Sequence, residues 1–96
     1  MRGYRLSGEA DRDIEEIARF TTERWGWRRA EAYLLELHDA FETLVAFPEL
    51  GRRVDHIRVG YRRLERGSHA IYYVVSADTV RIVRVLHGRM RAEGRL

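Results

Sequence analysis

The side chains able to move protons or hold a phosphate gather between Tyr61 and Met90. They are His69, His87, Glu65, Tyr72 and Tyr73, with Arg62, Arg63, Arg81 and Arg84 among them. Imidazoles can act as general base and general acid, and guanidiniums can stabilise the charge of a phosphorane. That is the chemistry of RNA cleavage. Residues two apart on a strand share a face. Arg81, Val83, Val85 and His87 therefore read as one line, with a guanidinium and an imidazole on the same side. His87 with Arg81 or Arg84 is the catalytic set this reading offers. The plainer reading makes His69 and His87 hydrogen-bonded structural residues at the ends of buried strands. His38 and His56 read as surface or connector residues.

Other chemistries lack their signatures. No GxGxxG or GxxxxGK loop occurs, and no HExxH pair or Ser/His/Asp spacing can be argued. There is no cysteine, so no disulfide or Cys-based zinc site is expected. The sequence assigns no catalytic residue outright, no cofactor and no metal.

The elements that must position these groups follow from local patterns. Arg2 to Leu6 reads as a short strand, and Ser7 stands where an N-cap belongs. Ala10, Ile14, Ile17, Ala18 and Trp25 form one face of an amphipathic helix that stops at Gly26. Its acidic run, Glu9, Asp11, Asp13, Glu15 and Glu16, reads as a solvated face near the positive end of the helix dipole. A second helix carries Ala30, Tyr33, Leu34, Leu37, Phe41, Leu44 and Val45 and ends at Phe47 before Pro48. Trp25-Gly26-Trp27 links the two as an antiparallel hairpin, and the tryptophans read first as core or hairpin packing and second as a partner hot spot. Pro48 to Gly51 is a turn. Arg52 to Gly60 reads as an irregular connector, with Val54, Ile57 and Val59 touching the core.

Three strands follow. The first starts at Tyr61, the second runs from His69 to Val75, and the third from Val80 to Leu86. The order β-α-α-β-β-β specifies an α+β, two-layer fold: a helical hairpin packed on one face of a mainly antiparallel sheet. Residues 1–96 make a single domain. The middle strand is apolar on both faces, yet a helical hairpin covers only one. The sequence therefore leads to an uncovered apolar face and an open sheet edge, both suited to a partner.

Charge sharpens that expectation. All 18 basic residues are arginine. Residues 1–50 hold 7 arginines against 11 acids, and residues 51–96 hold 11 arginines against 4 acids. The sheet half should attract an acidic partner, protein or nucleic acid. The longest apolar run is the six residues 70–75, far below the ~20 needed to cross a bilayer. The N-terminus leads straight into charged sequence, with no signal-peptide core. A cytoplasmic protein that makes no membrane contact is expected.

Several pieces together resemble the ParE branch of the RelE/ParE toxin superfamily of type II toxin–antitoxin modules. They are Tyr4-Arg5-Leu6-Ser7 with Ala10, Asp13, Ile14 and Ile17; Trp25-Gly26 with Ala30 and Tyr33; Phe47-Pro48-Glu49-Leu50-Gly51-Arg52; Gly60-Tyr61-Arg62; Ser68-His69 with Ile71, Tyr72 and Tyr73; and Ile82 through Met90. The run from Arg84 to Met90, RVLHGRM, after a SHAIYY strand is the most specific of them. The resemblance implies a ParD-like antitoxin whose C-terminal segment wraps the toxin in a hetero-oligomer. It implies poisoning of DNA gyrase by binding rather than catalysis, with DNA met only through the antitoxin. It places the toxic surface between Leu86 and Leu96. Arg62, Arg81, Arg84, His87, Arg89 and Met90 are the residues assigned to an antitoxin- or target-binding surface. The rival branch, RelE, cleaves mRNA on the ribosome. Several of its members depend on lysines, which this chain lacks; others use Glu, Arg and His.

Overall fold

The computed structural model describes residues 3–96. Arg2, the first residue of the expected N-terminal strand, lies outside them. The strand β1 runs Gly3–Leu6, followed by the helices α1, Gly8–Trp25, and α2, Trp27–Ala46. The sheet is completed by β2, Arg52–Arg53; β3, Tyr61–Arg66; β4, His69–Ser76; and β5, Thr79–His87. The strand order is β1-β5-β4-β3-β2. β1 lies parallel to β5, and every other pair is antiparallel.

Local chemistry sets the helix ends. The Ser7 hydroxyl accepts the Ala10 N–H at 3.0 Å and so satisfies one of the unpaired donors of the first turn. At the other end Gly26 takes φ +94°, which a side chain would resist. The chain reverses at that single residue and α2 begins at once. The apolar stripes of the two helices then meet one sheet face. Ala10, Ile17, Leu37, Phe41 and Leu44 pack on Ile71, Tyr73, Val80, Ile82 and Val85. Burying each Leu, Ile, Val or Phe side chain is worth roughly 1.5–3 kcal/mol over leaving it in water.

The opposite face is not open, contrary to the sequence expectation. Val54 and Ile57 of the connector and Ala92 and Leu96 of the C-terminal tail pack over Ala70, Tyr72 and Leu86. Two segments without an obvious period thus supply the cover that no third helix provides. Val59 is 81% exposed and takes no part. The connector also contributes β2, which the sequence reading missed.

The sheet carries one irregularity with large consequences. Tyr72 pairs with Arg84 but Tyr73 pairs with Ile82, so Val83 is an extra residue in β5. The bulge shifts the phase of the strand. Ile82 and Val85 both face the helices, and Leu86 faces the outer core. The expected line Arg81-Val83-Val85-His87 does not exist. Arg81 pairs with Val74 on the outer face, and His87 pairs with His69 on the helix face.

The turn at Pro48 is locked to the centre of the sheet. The buried Tyr73 hydroxyl donates to the Pro48 carbonyl at 2.8 Å and accepts the Gly51 N–H at 2.8 Å. Arg62 adds bonds to the carbonyls of Gly51, at 2.7 Å, and Glu49, at 3.3 Å. Removing the Tyr73 hydroxyl strands one donor and one acceptor. We expect Tyr73→Phe to lower stability by about 1–3 kcal/mol in denaturant melts, without change in helix content by circular dichroism. A loss below about 0.5 kcal/mol would show that the turn holds without it.

Candidate functional site

β1 pairs with β5 only from Thr79 to Ile82. Beyond that point the flank of β5 has no strand beside it among the described residues, and a cleft opens between it and α1. Its volume is about 720 Å³. Asp13, Glu16, Ile17 and Phe20 of α1 form one wall, with Trp25, Arg29 and Tyr33 at the helical hairpin. Gly67, Ser68 and His69 close one end, and Arg84 to His87 form the other wall with Met90 and Arg95 of the tail.

Two side chains close the backbone of β5 where β1 leaves it. The Ser7 N–H donates to the Ile82 carbonyl at 2.9 Å, and its hydroxyl donates to the Val83 carbonyl at 2.7 Å. Asp13 then accepts the Val85 N–H at 3.0 Å and both Nε and Nη2 of Arg84, at 2.8 and 2.9 Å. The pair is 14% and 17% exposed. The fork of the guanidinium matches the carboxylate, and such paired bonds are stronger than neutral ones. The bonds to Asp13 raise the Arg84 pKa above its already high ordinary value, against an opposing effect of burial. Arg84 also donates to the Arg95 carbonyl at 3.1 Å, which ties the tail to the strand. Asp13 is thus a structural acid, not part of a solvated face as its neighbours in sequence suggest.

A second polar chain lies at the closed end. The Tyr33 hydroxyl is 2.6 Å from Nδ1 of His69 and 3.2 Å from the Arg66 carbonyl, and it accepts the Ser68 N–H at 3.2 Å. The His69 and His87 rings meet edge to face with centroids 5.7 Å apart. Nδ1 of His87 accepts the Arg89 N–H at 3.2 Å. Burial holds His69 below the ordinary imidazole value of 6.5; the neighbouring His87 adds to this and Asp13 opposes it. Burial likewise raises Tyr33, opposed by the Ser68 N–H. Gly67 makes the close approach possible. It sits at φ +57°, and a Cβ there would lie 2.7 Å from the Tyr33 ring.

Of the residues assigned from sequence, Arg84, His87 and Met90 line the cleft. Arg62 is committed to the Pro48 turn. Arg81 is exposed on the outer face, and Arg89 is exposed in the tail. Arg81 and His87 therefore do not form one constellation. Sequence reasoning missed Asp13, Tyr33, Phe20 and Arg29 as parts of the site, and it held a partner role for Trp25 only as its second reading. The tryptophans do not pack within the hairpin: Trp25 is 58% and Trp27 62% exposed. Among the described residues no cluster could hold a metal ion, and no helix is long and apolar enough to cross a membrane.

Comparison with known proteins gives this geometry a family. A family model described as the ParE toxin of the type II toxin–antitoxin system parDE matches residues 4–92. The chain belongs to the ParE toxin family. Toxin ParE1 of Mycobacterium tuberculosis is 46% identical over 94 residues, covering 97% of this chain and 96% of that protein. Toxin ParE1 of Caulobacter vibrioides is 38% identical over 96 residues, covering 100% and 99%. Among solved structures, the chromosomal ParDE toxin–antitoxin system of P. aeruginosa superposes with a TM-score of 0.77 at 21% identity, over 91% of this chain and 96% of that one. YafQ of E. coli superposes at 0.57 and 17% identity, over 92% and 94%. The two structures share the fold: two helices on a five-stranded, mostly antiparallel sheet.

Two outcomes are expected from this geometry. Asp13→Ala leaves Arg84 and the Val85 N–H without their acceptor and should cost roughly 2–3 kcal/mol. Exposed Glu16→Ala should stay within about 0.5 kcal/mol. Equal effects in chemical denaturation would refute a special role for Asp13. The second concerns pH. His69 has a lower pKa folded than unfolded, so the unfolded chain binds the proton first. Its contribution is complete above about pH 6.5 and is lost as pH falls from there through the folded pKa. The melting temperature should drop on that acid limb, and His69→Asn should flatten the drop.

Proposed function

We propose that the chain is the toxic component of a type II toxin–antitoxin module, that a ParD-like antitoxin neutralises it by filling the cleft beside β5, and that it arrests growth by poisoning DNA gyrase. The observation that carries the antitoxin reading is the cleft itself. Ile17, Val85 and Met90 offer an apolar floor, and Arg29 and Arg95 stand at its rim. An amphipathic segment with acidic residues along one side fits that pattern, because it buries apolar area and meets positive charge. The partner therefore enters between α1 and β5. It does not lie on the outer sheet face, which the chain's own connector and tail occupy. Membership of the ParE family supports the gyrase target, and so does the exposure of Arg89 and Met90 in the C-terminal region that the resemblance made the toxic surface.

One observation favours a second reading, a ribosome-dependent mRNA endonuclease. Tyr33 hydrogen-bonds His69, His69 meets His87 edge to face, and this cluster opens into the cleft beside Arg84. Two imidazoles of unlike environment are what general acid and base need. The partner of His87 in this reading is His69 with Tyr33, not Arg81.

Purified gyrase acting on a plasmid separates the two. Under the first reading, added toxin leads to linear DNA, and the antitoxin abolishes it. Normal supercoiling by gyrase would remove that target. A ribosome assay then becomes decisive. Cleaved mRNA with wild type and none with His87→Ala would establish the endonuclease. No cleavage by wild type would end that reading.

A further inference from the structure

The tip of the helical hairpin carries a surface of which the readings above use only Arg29, at the cleft rim. Phe20, Trp25 and Trp27 are 60%, 58% and 62% exposed there. Each ring has a guanidinium over it. Arg24 stands 5.9 Å from the centroids of both Phe20 and Trp25, Arg29 5.2 Å from Trp25, and Arg28 5.2 Å from Trp27. Among the described residues none of these three arginines has an ion-pair partner. Glu23 and Glu31 lie in the same segment and pair with none of them. Phe20, Trp25 and Arg29 reach the rim of the cleft, whereas Arg24, Trp27 and Arg28 lie outside it.

We infer that this tip is a binding platform for single-stranded nucleic acid, with bases stacking on Trp25 and Trp27 and phosphates meeting Arg24, Arg28 and Arg29. Both needs of such a ligand are present together. An aromatic face takes any base, worth about 1–3 kcal/mol per stacked base, and arginine supplies both phosphate contacts and stacking of its own. An apolar protein segment fits less well. Each exposed ring carries a guanidinium with no ion-pair partner among the described residues, so burying the rings under an apolar segment would also desolvate that charge. The contact is direct and does not pass through an antitoxin. It is compatible with either target above, since gyrase holds DNA as it works and the ribosome holds mRNA, and it depends on neither.

The chain supplies its own probe, because Trp25 and Trp27 are its only tryptophans. A base stacked on them quenches the intrinsic fluorescence; a purely electrostatic contact does not. The purified protein would be titrated at low salt with three polyanions: an oligothymidylate of about 16 nucleotides, a duplex of the same length, and poly-L-glutamate. Quenching by the oligothymidylate alone is expected. Labelled oligothymidylate in anisotropy extends the test to variants. Trp25→Ala with Trp27→Ala should weaken binding more than about tenfold. Replacing Arg24, Arg28 and Arg29 by alanine should reduce the slope of log K against log salt by about 2, at roughly 0.7 per phosphate. Circular dichroism checks that each variant is folded. No quenching, equal quenching by poly-L-glutamate, or variants that bind like wild type would each overturn the proposal. Equal quenching by poly-L-glutamate would assign the tip to an acidic protein partner instead.

Discussion

The fold turns on how the flank of β5 is satisfied after β1 ends. A four-residue parallel strand cannot serve a nine-residue neighbour, and unpaired backbone groups in a half-buried position are costly. The chain solves this with side chains from the segment that follows β1. Ser7 caps α1 and in the same position bonds Ile82 and Val83. Asp13, a turn and a half into α1, bonds Val85 and holds Arg84. The helix is thereby fixed against the strand at two heights. The cleft is the space left between them further along, where among the described residues no further hydrogen bond joins α1 to β5.

The bulge at Val83 decides what that cleft contains. Without it, Val85 and His87 would face the outer core, and Leu86 and Arg84 the helices. The extra residue reverses the phase after Ile82, so Val85 joins the helix-side core and His87 arrives beside His69 and Tyr33. One inserted residue therefore sets both the packing of the sheet and the composition of the candidate site. Bulges are common where a strand must re-aim a side chain, and here all four residues of β5 after the bulge, Arg84 to His87, line the cleft.

Much of this was legible from local signals. Ser7, Gly26 and Pro48 marked helix ends because capping, positive φ and the missing proline N–H act within a few residues. Helix and strand periods gave the layer order. What failed depended on contacts distant in sequence. Strict alternation could not reveal the bulge, since the insertion shows only in the pairing of β4 with β5. The cover of the outer face came from Val54, Ile57, Ala92 and Leu96, which sit in segments with no period. Asp13 looked like its acidic neighbours, and only the fold brings it 71 positions along the chain to Arg84. Trp25 and Trp27 looked like core because of their size, yet a one-residue link leaves the tip with nothing beyond it to pack against.

The arginines sort by what they touch, and the sorting separates stability from recognition. Arg84 needs a planar fork, since one carboxylate meets two of its nitrogens while a third reaches Arg95. Arg62 uses one nitrogen on two carbonyls, a task an ammonium could share. Arg24, Arg28 and Arg29 lie over aromatic rings, which a guanidinium does well because it is flat and weakly hydrated. A chain without lysine can follow from composition alone. At Arg84 and at the hairpin tip, however, the geometry calls for guanidinium specifically. The charges held by acids and carbonyls maintain the fold, so the basic sheet half is less available to a partner than its net charge suggests. Among the described residues, Arg24, Arg28 and Arg29 at the hairpin tip and the exposed Arg81 and Arg89 have no ion-pair partner and remain available to a partner.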